Sequence, residues 1–151
     1  MAPRKLKGDL VELKIATDLV ERGWKIAIPY GEDSDVDLIA YRNQDVQRVQ
    51  VKYACSDGCV VQIRPQSQSL TNGRVIKVKR YTARTIDWLA VWDRTTDSCF
   101  YVAAADLGTG RRCIHLRLVP TTNNQQRGIR FADDYRDPPR SVPDDRVCGI
   151  G

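Results

Sequence analysis

The chain has 151 residues and a net charge of +5, from 24 Lys and Arg against 19 Asp and Glu. This length suits a single domain, and a hydrophobic fraction of 42% with 28% charged residues is ordinary for a globular protein. No apolar run has the length of a membrane span, and no apolar stretch follows the basic N-terminus to make a signal peptide, so we expect a cytoplasmic protein without a membrane partner. The positive charge suits a polyanionic partner.

Cysteine and histidine usage argues against a zinc site. The chain has one histidine, His115, and its five cysteines are scattered. Cys55 and Cys59 are separated by three residues and have no second pair to complete a tetrahedral site, so we expect reduced thiols. His115 lies in an alternating apolar run, which predicts a solvent-facing strand residue. The remaining cysteines are Cys99, Cys113 and Cys148.

The first predicted element is a helix over Lys5–Arg22, ended by Gly23. Asp9 falls inside its predicted core-facing stripe and Glu12 lies at the border of that stripe. A carboxylate that faces a core is costly unless it is paired or bound to a cation. The two acids are therefore either candidates for a cation site or partners of lysines at the helix rim. The stripe consists of Leu6, Leu10, Leu13, Ala16, Thr17 and Val20.

A first strand is predicted over Trp24–Tyr30, and the segment Ser34–Lys52 after it carries the strongest strand signal. Both halves of this segment alternate apolar and polar residues, which is the two-residue period of a strand. We therefore predict a β-hairpin. With Asn43-Gln44 as the turn, Ile39 pairs with Arg48.

The predicted register brings three polar groups together. Asp37 lies opposite Gln50, with Cβ atoms roughly 5 Å apart, and Lys52 follows about 7 Å further along the same face. A slip of two residues would place Asp37 opposite Lys52 and keep all three groups on one face. A slip of one would separate them, but it would also mismatch the apolar rows of the two strands. The structural alternative is a cross-strand ion pair of Asp37 and Lys52, with Gln50 at the surface.

The rest of the chain predicts a mixed sheet. One helix, three strands and then further strands with a short helical turn capped by Thr82 indicate an α/β (α+β) fold, with a central mixed β-sheet flanked by helices. After Arg136 the chain is polar and rich in proline, so we expect one domain over 1–136 and a loosely ordered tail over 137–151. The further strands are predicted at 59–64, 74–79, 88–92, 99–103 and 114–119.

Basic residues cluster in one short segment of the chain. A cluster of this kind can contact a phosphate backbone, and an aromatic or arginine side chain within it can contact a base edge. The polar loop Thr121–Arg130 is a second candidate surface, and the structural alternative is a solvated basic face. The residues predicted to contact DNA are Arg74, Lys77, Lys79, Arg80, Tyr81 and Arg84.

Glu12, Asp37 and Gln50-Val51-Lys52 occur in the order helix acid, strand acid and polar-x-Lys. This order resembles the PD-(D/E)XK nuclease superfamily over roughly the first hundred residues. Val36 stands where the motif name has proline, and Gln50 stands where Asp or Glu is usual. The Gln-x-Lys variant is similar to the small group I intron homing endonucleases of cyanobacterial type.

The resemblance implies a restriction-endonuclease-like fold and the metal-dependent hydrolysis of phosphodiester bonds in double-stranded DNA. Asp37, Gln50 and Glu12 would hold Mg²⁺ or Mn²⁺, for which oxygen ligands are suited. Lys52 would stabilise negative charge. No small-molecule cofactor is implied.

Cutting both strands of a duplex takes two active sites, so a homo-oligomer, a dimer or a tetramer, is expected on a long, near-palindromic target. Two rival functions remain at this point. Archaeal Holliday junction resolvases are similar in size and motif order but keep a carboxylate where Gln50 stands. A non-catalytic DNA-binding module would also tolerate glutamine there. The residues suggested for self-association are Trp88, Trp92 and Phe100.

Overall fold

The computed structural model describes residues 4–31, 35–71, 74–80, 82–107, 113–123 and 125–140, with 4, 5, 66–71 and 74–80 described by their backbone alone. Helix α1 (Arg4–Glu21) comes first, and two 3-10 helices cover Ala104–Asp106 and Ala132–Tyr135. The strands are β1 (Lys25–Ala27), β2 (Leu38–Arg42), β3 (Asp45–Ala54), β4 (Val60–Ile63), β5 (Gln66–Thr71), β6 (Arg74–Arg80), β7 (Trp88–Asp93), β8 (Ser98–Ala103), β9 (Ile114–Arg117) and β10 (Arg130–Phe131).

The central sheet has five strands in the order β1-β2-β3-β7-β8. β3 and β7 are parallel, and the other neighbours are antiparallel, so the sheet is mixed as predicted. A smaller sheet has the order β10-β9-β4, and β5 and β6 form a separate two-stranded ribbon. The fold class predicted from the sequence is confirmed.

Two cores lie on opposite faces of the central sheet. On one face α1 packs against side chains of β2, β3 and β7. On the other face β4 and β9 of the smaller sheet pack against β7 and β8. We predicted a sheet flanked by helices, whereas within the described residues α1 is the one α-helix and the second face is covered by a sheet.

The predicted hairpin register is confirmed. Arg42 pairs with Asp45, Ile39 with Arg48 and Leu38 with Val49. Asn43 adopts φ +56° in the turn, a left-handed conformation that asparagine tolerates better than most non-glycine residues. A two-residue turn without glycine is therefore feasible.

The prediction of which side of α1 is buried is wrong. Val11, Ile15 and Leu19 are the buried side chains, at 3%, 0% and 0% exposure, and they pack on the sheet. Except for Ala16, which packs at the edge of this core, the predicted stripe lies on the opposite side of the helix, and Asp9 is exposed with it. Both sides of α1 are apolar, so helical periodicity alone could not choose between them. The exposed fractions are 56% for Leu6, 38% for Leu10, 65% for Leu13 and 56% for Val20.

Other expectations are corrected as well. Trp88, Trp92 and Phe100, suggested for self-association, are all buried in the cores. The short helical turn predicted after Thr82 is present as a single turn, in which the Thr85 and Ile86 N–H groups donate to the Thr82 carbonyl and the Arg84 N–H donates to Thr82 Oγ1. Strand β5 was not predicted, and residues 72–73 and the predicted tail beyond 140 lie outside the described residues. Within the described chain, no helix is long and apolar enough to cross a membrane.

Candidate active site

Asp37 is held against β3 at the point where the pairing of β2 begins. Its N–H donates to the Val49 carbonyl at 2.9 Å, and the Val51 N–H donates to its Oδ2 at 3.0 Å. Continuing the observed register from Leu38 and Val49 by one residue puts Asp37 opposite Gln50. The local cause is the strand period, since Leu38 faces the helix side and Asp37 faces the other side.

Gln50 lies in the middle of β3, where it is flanked by β2 and by Leu89 of β7. Its side chain is 8% exposed, and its Oε1 is a buried acceptor without a hydrogen-bond partner in the described part of the protein. Leaving a buried polar atom unsatisfied costs about 1–3 kcal/mol. An unsatisfied amide oxygen beside a carboxylate is an unusual feature in a folded core, and a bound cation would satisfy it.

Glu12 approaches the same place from α1. Burial raises the pKa of this half-buried carboxyl, and the negative charges of Asp37 and then Asp9 raise the pKa further. The influence of Asp37 shows that the helix acid and the strand acid lie near each other. Two nearby carboxylates repel each other when both are ionised, and a cation between them would relieve that repulsion.

The pKa of Asp37 is also raised. Burial is the largest cause, and it outweighs the opposing effects of the Val51 hydrogen bond and of the Lys52 charge, while Asp35 raises the pKa further. The cost of burying the ionised Asp37 carboxylate is therefore not fully offset by its hydrogen bond and by the Lys52 charge. Such a shift in a cluster of polar groups is typical of functional sites.

Lys52 follows Gln50 on the same face of β3 and is half-buried. Burial lowers the pKa of its ammonium group, and Asp37 acts in the opposite direction. The neighbouring carboxylate alone would raise the pKa of Lys52, but burial has the larger effect, and burial cannot be read from the sequence. The amine is thus easier to deprotonate than an exposed lysine.

The donor set fits a hard divalent cation. Asp37, Gln50 and Glu12 offer two carboxylates and one amide oxygen, and oxygen donors are the ligands that Mg²⁺ prefers. Among the described residues there is no cluster of three or more His, Cys, Asp or Glu side chains suited to a metal ion. The buried, unsatisfied Gln50 Oε1 is the observation on which the fit depends.

Comparison with known proteins identifies the family and the fold of the chain. A family model described as PD-(D/E)XK endonuclease matches residues 2–138. The chain belongs to the PD-(D/E)XK endonuclease family. A solved structure of a bacterial homing endonuclease, I-Ssp6803I, has the same fold with a TM-score of 0.71 and 20% sequence identity, over 89% of this chain and 89% of that chain. No curated protein matches the chain.

The endonuclease has two polar residues beside Lys52 that sequence reasoning missed. Gln62 of β4 and Arg64, which directly follows β4, line a cavity of about 210 Å³ together with Lys52 and Tyr53. Both are exposed, whereas the alternating residues of β4 face the core. The alternation was visible in the sequence, but no sequence signal showed that β4 lies next to the polar face of β3.

The predicted DNA-contacting residues of this endonuclease are only partly described. Arg84 is exposed, and its carbonyl accepts a hydrogen bond from Arg48 Nη1 at 3.0 Å, which anchors the turn to β3. Arg48 in turn forms an ion pair with Asp87, with Nε and Oδ2 3.0 Å apart. Tyr81 lies outside the described residues, and Arg74, Lys77, Lys79 and Arg80 lie on β6, whose side chains are not described. Their contact with DNA stays a prediction.

The remaining cysteine and histidine expectations can be compared with the structure. His115 is exposed on β9, as predicted. The described cysteines are free thiols, and Cys148 lies outside the described residues. Cys99 is half-buried, and burial is the main cause that raises the pKa of its thiol to about 12. This thiol is therefore a packing residue rather than a nucleophile.

Proposed function

We propose that this family member is a site-specific endonuclease that hydrolyses phosphodiester bonds in duplex DNA with Mg²⁺ or Mn²⁺. The observation that carries the proposal is the buried Gln50 Oε1 without a partner, beside an Asp37 carboxylate that the Val51 N–H holds in place. Asp37 and Gln50 hold the ion, and Glu12 adds a second carboxylate from α1. When bound, the ion supplies positive charge that polarises the scissile phosphate and lowers the pKa of water.

Lys52 has a separate role. Its amine lies on the same face as the ion-binding residues, where it stabilises the negative charge that develops on the phosphate. Because burial lowers its pKa, Lys52 also loses a proton more readily than an exposed lysine, and it can exchange a proton with the attacking water. Gln62 and Arg64 border the cavity next to it and are placed to contact the phosphate backbone.

Two features support a homing endonuclease with a long, near-palindromic target. The Gln-x-Lys motif is the variant that the sequence shares with that group. The neighbour I-Ssp6803I is itself a homing endonuclease, and the two chains match over nearly their whole lengths. One chain carries one such site, so cutting both strands requires a homo-oligomer, a dimer or a tetramer.

The test is cleavage of a randomised duplex library by the purified protein, with Mg²⁺ or with EDTA, followed by sequencing of the cut ends. Asp37→Asn removes the charge and keeps an oxygen that can accept from Val51. Asp106→Asn, at an exposed position on a 3-10 helix, is the matched control. We expect cleavage at one extended sequence, lost in EDTA and in Asp37→Asn and kept in Asp106→Asn.

A duplex library that stays intact in Mg²⁺ and in Mn²⁺ would contradict the proposal. The same preparation is then assayed on a four-way junction. Cleavage there would assign a junction-selective nuclease instead, and tight binding without cleavage would assign a DNA-binding module.

A further inference from the structure

Helix α1 has two apolar sides, and one of them is not used by the fold described here. Val11, Ile15 and Leu19 pack on the central sheet. The opposite side carries the outer stripe, which we define as Leu6, Leu10, Leu13, Thr17 and Val20, and all five side chains are exposed. A contiguous row of large apolar residues on a surface helix marks an interaction site, whereas single exposed leucines are unremarkable.

The spacing of the outer stripe is that of a helix-pairing seam. Its residues follow one another at intervals of four, three, four and three. This is the repeat by which a helix presents one seam to a second helix. Thr17 is the one polar position in the row. A stripe with this repeat fits a helix as its occupant better than it fits a flat surface or a small ligand.

We propose that the outer stripe pairs with the outer stripe of a second copy of this chain, with the two α1 helices antiparallel. The two ends of the stripe are equally far from Leu13, because Leu6 lies seven residues before it and Val20 seven residues after it. A two-fold axis through Leu13 therefore places Leu6 of each copy against Val20 of the other. This is the self-complementary contact that a two-fold dimer requires.

Charge along α1 favours this orientation. The helix has no acidic residue in its first turn and no basic residue in its last turn, which is the reverse of what the helix dipole prefers. Lys7 lies near its start and Glu21 at its end. An antiparallel pair brings the basic end of one helix to the acidic end of the other. A parallel pair would bring like charges together at both ends.

The surface beside the stripe can receive a partner's side chains. A groove of about 380 Å³ runs along one side of the stripe, lined by Leu10, Leu13 and Thr17 and by Trp92 and Cys99 from the neighbouring strands. Lys14 Nζ and Asp97 Oδ1, 3.2 Å apart, form an ion pair at its rim. An apolar floor with a charged rim is the usual composition of a protein–protein contact.

The functional role of this pairing depends on the proposed nuclease function. Glu12 lies on the same helix as the outer stripe, so two paired α1 helices would fix two candidate active sites relative to each other. Two sites at a fixed spacing are what a double-strand cut with a constant offset requires.

The first experiment measures molar mass by light scattering at about 50 µM for the unmodified protein, Leu13→Glu and Val46→Glu. Val46 is the matched control, since it is a similarly exposed apolar residue, at 59%, on β3 rather than α1. We expect the unmodified protein and Val46→Glu to have at least twice the monomer mass. Leu13→Glu should have half the mass of the unmodified protein, with unchanged circular dichroism because Leu13 packs little within its own chain. A monomeric unmodified protein, or a Leu13→Glu variant of unchanged mass, would overturn the proposal.

The second experiment tests the orientation by disulfide crosslinking in a Cys55→Ser, Cys59→Ser, Cys148→Ser background, which removes the two exposed thiols of the described residues and the C-terminal cysteine. Leu13→Cys should crosslink to itself. Leu6→Cys should crosslink to Val20→Cys when the two proteins are mixed, and neither should crosslink to itself. Efficient self-crosslinking of Leu6→Cys would show a parallel pair and overturn the antiparallel assignment.

Failure of this inference can be distinguished from failure of the proposed function. On a supercoiled plasmid that carries the target, the unmodified protein should give linear DNA, and Leu13→Glu should give mainly nicked circles. An associated protein with no cleavage under any ion would refute the nuclease proposal and leave the pairing intact. Full double-strand cutting by Leu13→Glu would refute the pairing and leave the nuclease proposal intact.

Discussion

Two acids on the same face of the central sheet have opposite surroundings. Asp93, at the end of β7, is fully buried and accepts hydrogen bonds from the N–H and hydroxyl groups of both Ser56 and Thr96, at 2.7–3.2 Å. Asp37, beside β3, is half-buried next to a second acid and next to the unsatisfied Gln50 Oε1. Hydrogen-bond donors therefore surround the Asp93 carboxylate, whereas the neighbours of Asp37 include oxygen atoms that could bind a cation together with it.

The difference separates a structural acid from a functional one. Asp93 joins the loop after β3 to the turn after β7, and its hydrogen bonds compensate its burial. Asp37 has a raised pKa because its burial is incompletely compensated. Burial alone would not distinguish the two residues, whereas counting donors around each carboxylate does.

The largest expected effect is the loss of cleavage in Asp37→Asn. Removing the charge of an ion-binding carboxylate takes away several kcal/mol of transition-state stabilisation, and about 1.4 kcal/mol corresponds to a tenfold change in rate. We expect the single-turnover cleavage rate to fall by about 10³-fold or more, with the fold unchanged by circular dichroism. A decrease of less than about tenfold would remove Asp37 from the site.

The converse substitution is Asp93→Ala, which should affect stability more than catalysis. It leaves four donors from Ser56 and Thr96 without their acceptor, and a hydrogen bond to a charged group contributes about 1.5–3 kcal/mol. Thr96 is exposed and Ser56 is half-buried, so water can replace part of the lost bonding. We expect the free energy of unfolding in urea to fall by about 2–4 kcal/mol. The cleavage rate of the remaining folded protein should stay within about threefold. If Asp93→Ala abolished cleavage in a folded protein, the division between the two acids would be wrong.

Without added metal, the unmodified protein and Asp37→Asn should differ in how their stability depends on pH. A carboxyl with a raised folded pKa binds its proton more tightly in the folded state, so its ionised form destabilises the fold at neutral pH, and this penalty disappears as pH falls. Asp37→Asn should therefore unfold at a higher temperature than the unmodified protein at pH 7 in EDTA. The difference should vanish towards the ordinary aspartate pKa of 3.8. A lower melting temperature for Asp37→Asn at pH 7 would contradict the direction of the shift.

Part of this contrast could be predicted from the sequence. The hairpin register followed from the two-residue period and a short turn, both of which are local, so Asp37, Gln50 and Lys52 were grouped correctly on one face. The buried side of α1 was not predictable, because Leu13 and Ile15 are equally apolar and only the tertiary structure decides which of them faces the sheet. The lowered pKa of Lys52 depends on burial, and Arg64 lies beside it only because β4 folds back over β3.

A smaller effect is expected from Gln50→Glu, which adds a charge to the unsatisfied position. Because a carboxylate binds a divalent cation more strongly than an amide does, we expect Mg²⁺ to bind about tenfold more tightly by calorimetry at pH 8. In EDTA the same variant should melt at a lower temperature, since a third carboxylate joins Asp37 and Glu12. Unchanged Mg²⁺ affinity would indicate that the Gln50 side chain does not face the ion.

The smallest effect should come from Arg64→Gln, with Arg94→Gln, next to the structural acid Asp93, as the control. Arg64 borders the cavity beside Lys52, whereas Arg94 is exposed directly after Asp93. Losing one phosphate contact should reduce the slope of log affinity against log salt by about 0.9 and weaken DNA binding severalfold at physiological salt. The measurement is fluorescence anisotropy of a labelled duplex in Ca²⁺, over 50–200 mM salt. Because both variants lose the same charge, net charge alone would change the two slopes equally, and only a site-specific contact predicts a larger change for Arg64→Gln. Equal slopes would place the DNA path away from β4. The functional role of Asp37, in contrast to the structural role of Asp93, would then rest on ion binding alone.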